Sequence, residues 1–269
     1  MRIAVARRSE ARYQAGMVML SGVRKRGRAR TDVAAAALPA FARCGADLRF
    51  TLAGEAVRAL REGGLFLEAH GVLIVSDLHL EKGSSFARRG QLLPPYDTRE
   101  TLRRLAFVCA RLSPSTVVSL GDSFHDAGAM DRMDQEDRAA LEALIGAYQW
   151  IWIGGNHDPQ TPDGLDGVRA KTVRFGALTL RHEPDAGARI GEIAGHLHPA
   201  ARVAGEARSI RVRCFATDAQ RLVMPAFGAY TGGLNLSDPA FTPVFPQGAV
   251  ALALGVRQLH PIAPDRQVG

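Results

Sequence analysis

The sequence predicts a layered α/β fold with helices outside a mixed sheet, and three observations predict it. Short β-branched apolar runs recur, and each ends at polar punctuation. Amphipathic helical patterns lie between them, and the later half of the chain is richer in strand than in helix. Strands alternating with helices imply an α/β core.

The first run, Gly71-Val-Leu-Ile-Val-Ser76, leads into Asp77. Thr116-Val-Val-Ser-Leu120 leads into Gly121-Asp122, and Trp150-Ile-Trp-Ile153 into Gly154-Gly-Asn-His-Asp158. Runs of this kind, apolar on both faces, read as buried central strands. From Thr98, apolar side chains fall at Leu102, Leu105, Ala106, Cys109 and Leu112, one face of a helix, and Asp97 followed by Glu100 offers an N-terminal cap. A second helix fits Gln135–Tyr148, with Leu141, Leu144, Ile145 and Tyr148 on one face. Ala177–Arg181, Glu192–Ala194, Ile210–Phe215 and Arg221–Met224 read as later strands.

The 269 residues are enough for one domain with a sizeable core, and 46 % apolar residues is the share of a water-soluble globular chain. No stretch approaches ~18 uninterrupted apolar residues, so a membrane span is not expected. Cys44, Cys109 and Cys214 are widely spaced and odd in number, without a CxxC. They point to a reducing compartment, the cytoplasm, and away from a disulfide framework or a thiolate metal site.

The net charge of +7 is unevenly placed. Residues 1–46 hold ten Lys or Arg against two Asp or Glu, a net of +8 that leaves −1 for residues 47–269. We therefore expect a basic, disordered extension over residues 1–46 and a folded domain over 47–269. The extension reads as neither a secretory nor a twin-arginine signal: its best apolar stretch precedes the positive run, and Arg7-Arg8 precedes no apolar region. A nucleic-acid arm and an idle tail both remain open.

Three predicted strands end in metal-type side chains. Asp77 and His79 flank Leu78, so alternation along an extended chain points both to one side. Asp122 and the Asn156-His157 pair follow glycines, which let the backbone turn sharply. Sites in open α/β sheets gather at the carboxyl ends of strands. Leu180-Arg-His-Glu-Pro184 and Gly195-His-Leu-His198 complete the set, with His196 and His198 repeating the Asp77/His79 spacing. Oxygen and imidazole donors without thiolate suit Mn²⁺, Fe or Zn²⁺. Two such ions ~4 Å apart clamp a phosphoryl group and activate water.

Asp77-Leu-His79, Gly121-Asp122, Gly155-Asn-His-Asp158, His182 and Gly195-His-Leu-His198 resemble the calcineurin-like metallophosphoesterase superfamily, over about residues 70 to 200. The resemblance implies a four-layer β-sandwich flanked by helices, with two divalent metal ions at the sheets' end. By carry-over, one ion takes Asp77, His79, Asp122 and His198, and the other takes Asp122, Asn156, His182 and His196. His157 would protonate the leaving group. His125, in Gly121-Asp-Ser-Phe-His125, resembles the GDxxH of the superfamily's double-strand-break repair nucleases, where that histidine supports the catalytic one. Asp158 is expected outside the ligand set, supporting or capping the loop.

A narrower resemblance covers most of residues 47–240. Asp77-Leu-His-Leu-Glu-Lys82, Phe86-Ala-Arg-Arg-Gly90, Pro94, Arg181-His-Glu-Pro-Asp185, Gly195-His-Leu-His-Pro199 and Pro225-Ala-Phe-Gly228 are similar to the bacterial DNA ligase-associated metallophosphoesterases. That family implies Mn²⁺-dependent phosphodiesterase and single-strand DNA endonuclease activity in DNA repair, with a DNA ligase and a helicase as partners. One departure is Glu81, where glycine is expected. Lys82, Arg88 and Arg89, in the loop after the first ligand pair, are placed to hold substrate phosphates. The alternative is an enzyme for small phosphodiesters such as cyclic nucleotides, or for monoesters, because specificity lies outside the metal ligands. A metal-free scaffold is disfavoured by the intact ligand set and His157.

Overall fold

The computed structural model describes residues 39–267, except 161, 163, 188–189 and 205–208. Two sheets face each other. The first has eight strands in sequence order: β1 (Ala42–Cys44), β2 (Asp47–Leu52), β3 (Glu55–Ala59), β4 (Leu65–Leu67), β5 (Val72–Val75), β6 (Thr116–Leu120), β7 (Gln149–Ile153) and β8 (Val168–Ala170). The pairs from β1 to β5 are antiparallel, and those from β5 to β8 are parallel.

The second sheet holds β9 (Val173–Phe175), β10 (Leu178–Leu180), β11 (Glu192–Ala194), β12 (Pro199–Ala204), β13 (Ser209–Thr217), β14 (Leu222–Val223), β15 (Leu234–Asn235), β16 (Val250–Leu254) and β17 (Leu259–Ile262). Its order is β15-β12-β13-β14-β11-β10-β9, with β16 also pairing β13 and β17. Within it β10, β11 and β14 are parallel. Each sheet thus carries a parallel group whose strands end on the same side of their own sheet.

Side-chain period sets the layers. Along β2 the residues alternate between core and solvent, Leu48, Phe50 and Leu52 being buried while Arg49 and Thr51 are exposed. Those three join Ile74, Val118, Leu120, Ile153, Leu180, Ile193, Phe215 and Leu252 in the core between the sheets. The other face of the first sheet packs on the helices: Val75, Val117 and Trp150 meet Leu102, Leu105 and Cys109 of α2 (Asp97–Leu112), with Leu141 and Ile145 of α4 (Gln135–Ala147). Short helices α1 (Lys82–Arg88) and α3 (Ala129–Arg132) complete that side. On the outer face of the second sheet, Ala216 and Val223 are covered by Phe241, Val244 and Phe245, around a 3₁₀ turn at Pro239–Phe241. This is the two-sheet sandwich with flanking helices that the resemblance implied.

Two expectations change. Strand β1 lies inside the stretch expected to be extension: Gly45, at φ 62°, turns the chain so that Cys44 pairs with Asp47, and Phe41 packs edge-on against Phe50 at 5.5 Å. The rest of that stretch, residues 1–38, lies outside the described residues. Asp97 is the first residue of α2 and not its cap, because its carboxylate accepts the Gly83 N–H of α1 at 2.9 Å. In α4, by contrast, Asp134 caps by accepting from Glu136 N at 2.8 Å.

Candidate active site

Five strands deliver the candidate residues. Ser76-Asp77 follows β5, Gly121-Asp122 follows β6, Gly154-Gly-Asn-His157 follows β7, Arg181-His182 follows β10 and Gly195-His196 follows β11. Two glycines are required by close approach. A Cβ on Gly155 would strike the Asp122 carboxylate and amide, and one on Gly195 would strike the Ser76 hydroxyl and the Asp77 carboxylate. Gly195 therefore lets a loop of the second sheet interlock with one of the first, His196 N donating to Asp77 Oδ2 at 3.1 Å, while Gly195 N donates to His182 O at 2.8 Å within the second sheet's loops.

The side chains gather into two trios whose donor atoms lie within 4.8 Å of one another: Asp77, His79 and His198, and Asp122, His182 and His196. His198 Nε2 is 3.0 Å from Asp77 Oδ1 and 3.5 Å from His79 Nε2. Asn156 Oδ1 joins the second trio, 3.0 Å from His182 Nε2 and 2.8 Å from His196 Nδ1. Asp122 stands between the trios, with Oδ2 3.7 Å from His79 Nε2 and Oδ1 3.5 Å from His182 Nε2. All seven candidate metal residues are thus brought together.

Three features show that this donor set fits metal ions. Asp77, His79, Asp122, His196 and His198 all adopt left-handed backbone, with φ between 42° and 66°. Each such non-glycine residue costs on the order of 1–3 kcal/mol, and such strain clusters at functional sites. His79 Nδ1 is buried without a hydrogen-bond partner among the described residues. Burial pushes the His79 imidazole down to about 2, against the pull of Asp77, so it stays neutral, the form a metal requires. Asp77 is fully buried, and burial disfavours its charge, yet the hydrogen bond and charge of His198, with help from His182 and Ser76, hold it below the usual carboxylate range.

His157 and His125 form a third group with His79. His157 is anchored twice: its N–H donates to Asp122 Oδ1 at 2.9 Å, and its Nδ1 meets the His125 carbonyl at 2.9 Å. A carbonyl only accepts, so Nδ1 carries hydrogen and Nε2 is left as the exchangeable nitrogen. The His125 ring stacks on it at 5.1 Å. His125 therefore supports His157 through its backbone carbonyl and ring face. Burial, with Lys82 and His157 adding to it, pushes His125 down to about 4, so that ring is neutral near pH 7. Asp158 accepts from Ser123 N, Phe124 N and Gly155 N at 2.7, 3.1 and 3.1 Å, tying the loops after β6 and β7 together. Burial raises its carboxyl to about 6, the Asp122 charge adding to it and the backbone N–H groups opposing it.

Of the phosphate candidates, Lys82 is half-buried, its Nζ 5.9 Å from the centre of the Phe86 ring, while Arg88 and Arg89 are exposed. Glu81 stands at φ 66°, the conformation that would favour the glycine expected there. Its carboxylate is turned inward, accepting from Thr98 Oγ1 at 2.8 Å and Ser84 Oγ at 2.6 Å, and is 6 % exposed. It braces α1 against α2 instead of facing incoming phosphate.

Arg104 and Arg213 escaped sequence reasoning. Arg213 donates to the carbonyls of Ala226 and Gly228 at 3.0 and 2.9 Å, and Arg104 donates to Phe227 O while lying over that ring at 4.6 Å. The loop they hold donates Phe227 N to Ser76 O at 2.8 Å and Gly228 N to Asp77 O at 3.1 Å. Two arginines thus fix the backbone beneath Asp77. Burial, reinforced by Arg213, pushes Arg104 down to about 10. Arg213→Met is expected to cost about 2 kcal/mol, the scale of hydrogen bonds to charged groups. Thermal melting and metal titration check this, and unchanged metal affinity would detach the loop from Asp77.

Fold and site together define a phosphoesterase whose candidate metal centre lies where two sheets end. The sequence matches the family described as Calcineurin-like phosphoesterase over residues 70–212, more than half the chain. The chain belongs to that family: it is a metal-dependent phosphoesterase, of a family that uses a dinuclear metal site. Pseudomonas putida nuclease MPE shares the fold, with a TM-score of 0.61 and 23 % identity over 80 % of this chain and 100 % of that one. Yfce, a phosphoesterase from E. coli, aligns over 72 % of this chain and 98 % of its own at 14 % identity, with a TM-score of 0.34 that bears no weight. Comparison with curated protein sequences finds no match. No helix among the described residues is long and apolar enough to cross a membrane.

Proposed function

We propose that the chain is a two-metal phosphodiesterase that cuts single-stranded DNA as an endonuclease, in the manner of the DNA ligase-associated metallophosphoesterases. The observation that carries this reading is the doubly anchored His157, its ring 4.9 Å from that of His79 in the first trio and its Nε2 left exchangeable. A deoxyribose alkoxide is a poor leaving group and needs a proton as it departs, whereas an aryl oxide does not.

In this reading Asp77, His79, Asp122 and His198 hold one ion, and Asp122, Asn156, His182 and His196 hold the other. When bound, the ions supply charge to the phosphoryl oxygens and activate water. Water adds to phosphorus, the bond to the leaving oxygen breaks, and His157 protonates that oxygen. His125 orients His157, and Lys82, Arg88 and Arg89 take the phosphates. Mn²⁺ suits the donor set, as do Fe and Zn²⁺. A DNA ligase and a helicase are the proposed partners in repair, in the cytoplasm.

One assay panel with Mn²⁺ tests the substrate class, comparing single-stranded DNA, a bis-aryl phosphodiester, an aryl monoester and a cyclic nucleotide. Cleavage of both the DNA and the bis-aryl ester is expected. A kcat/KM higher for the monoester or the cyclic nucleotide than for DNA would reject the nuclease reading.

A further inference from the structure

The segment leaving α1 carries exposed apolar side chains that the site so far does not use. Leu92 is 87 % exposed, Tyr96 62 % and Leu93 38 %. Singly scattered apolar side chains are ordinary on a surface, but three within five residues form a patch. Beside it Arg88 and Arg89 are exposed, and among the described residues neither takes an ion pair or a side-chain hydrogen bond. Asp126, the acid in the loop facing this helix, is already held by Arg132 at 2.8 Å. Between Lys82 and Tyr96 there is no acidic residue.

This surface is fastened to the active site at both ends. The Phe86 ring lies 5.9 Å from that of His125, which stacks on His157. Tyr230 Oη donates to Pro94 O at 2.8 Å, and Gly228, two residues earlier, donates to Asp77 O at 3.1 Å. Pro94 and Pro95 fix their own φ angles, so the rim has less freedom to lose when it takes a ligand.

Resting on the nuclease reading above, we propose that the rim from Ala87 to Tyr96 seats one polynucleotide strand, Arg88 and Arg89 on its phosphates, Leu92 and Tyr96 against its bases. Free cations beside exposed aromatic and apolar faces match a chain that carries both phosphates and bases. The strand is single because a duplex hides the base faces that Tyr96 and Leu92 would cover. A cyclic nucleotide or a lone ester has no neighbouring base to place there.

The test uses the full chain with Mn²⁺ and an oligothymidylate of about 16 nucleotides. Leu92→Ser with Tyr96→Ala is expected to raise KM for the oligonucleotide about tenfold, the scale of one lost stacking contact. Turnover at saturation and hydrolysis of bis-p-nitrophenyl phosphate are expected to stay unchanged. Tyr96→Phe alone is expected to keep the wild-type KM, because the ring and not the hydroxyl meets the base. An unchanged oligonucleotide KM in the double variant would overturn the proposal and leave the rim to a protein partner. Equal losses on the oligonucleotide and the small ester would also overturn it, showing that the residues act on the fold. A wild-type protein that does not cut the oligonucleotide at all would sink the nuclease reading itself, before any variant is compared.

Discussion

Replacing Asp122 by asparagine is expected to strip both metal positions at once, taking bound Mn²⁺ from about two ions per chain toward none. The residue is 2 % exposed, and its two carboxylate oxygens face different trios, Oδ2 toward His79 and Oδ1 toward His182. Oδ1 also accepts from His157 N at 2.9 Å, so the same change disturbs the proposed proton donor. Asparagine preserves the shape and tolerates the φ of 47°, which alanine does less readily, so the loss reports charge more than folding. Activity on every ester is expected to fall on the order of 10⁴-fold or more, beyond what a single proton donor supplies. Asn156→Ala, by contrast, should weaken only the second position. Elemental analysis after Mn²⁺ loading decides the matter: two ions retained at saturation in Asp122→Asn would remove Asp122 from the bridging role.

His157→Ala is expected to separate metal binding from turnover. The side chain is exposed and sits in neither trio, so melting temperature and Mn²⁺ stoichiometry should match the wild type. Cleavage of DNA should drop on the order of 10²–10⁴-fold, the usual contribution of a positioned acid. Hydrolysis of an ester that releases p-nitrophenolate should drop less, since that group departs without a proton. The selectivity follows from Nε2 being the nitrogen left to exchange protons once Nδ1 is committed to the His125 carbonyl. Equal losses on both substrates would take His157 out of the acid role and leave it a part in substrate placement.

The sequence made the catalytic half legible because its strands are short, apolar on both faces and end in the candidate ligands. Runs such as Val72–Val75 and Thr116–Leu120 have no other plausible place than a buried sheet. The first hairpins were harder to read. Arg49 and Arg58 on their outer faces interrupt the apolar runs of β2 and β3, so no strand is read there, although Leu48, Phe50, Leu52 and Val57 alternate inward. The two-residue strand β15 is too short for any period to show. Asp97 looked like a cap because its true partner, Gly83 N, lies in another helix. Arg104 and Arg213 left no local trace at all, since their acceptors are backbone carbonyls on a distant loop. Glycines 155 and 195, within the motifs, were legible as sharp turns, but not as the hollows into which Asp122 and Ser76 press.

Neither sheet owns a complete trio. Asp77, His79, Asp122 and Asn156 come from the first, and His182, His196 and His198 from the second. A chain made from its amino end therefore carries part of each donor set before the rest exists. Until His198 has been synthesised and the second sheet has closed on the first, the nascent protein has no finished place for an ion at either trio.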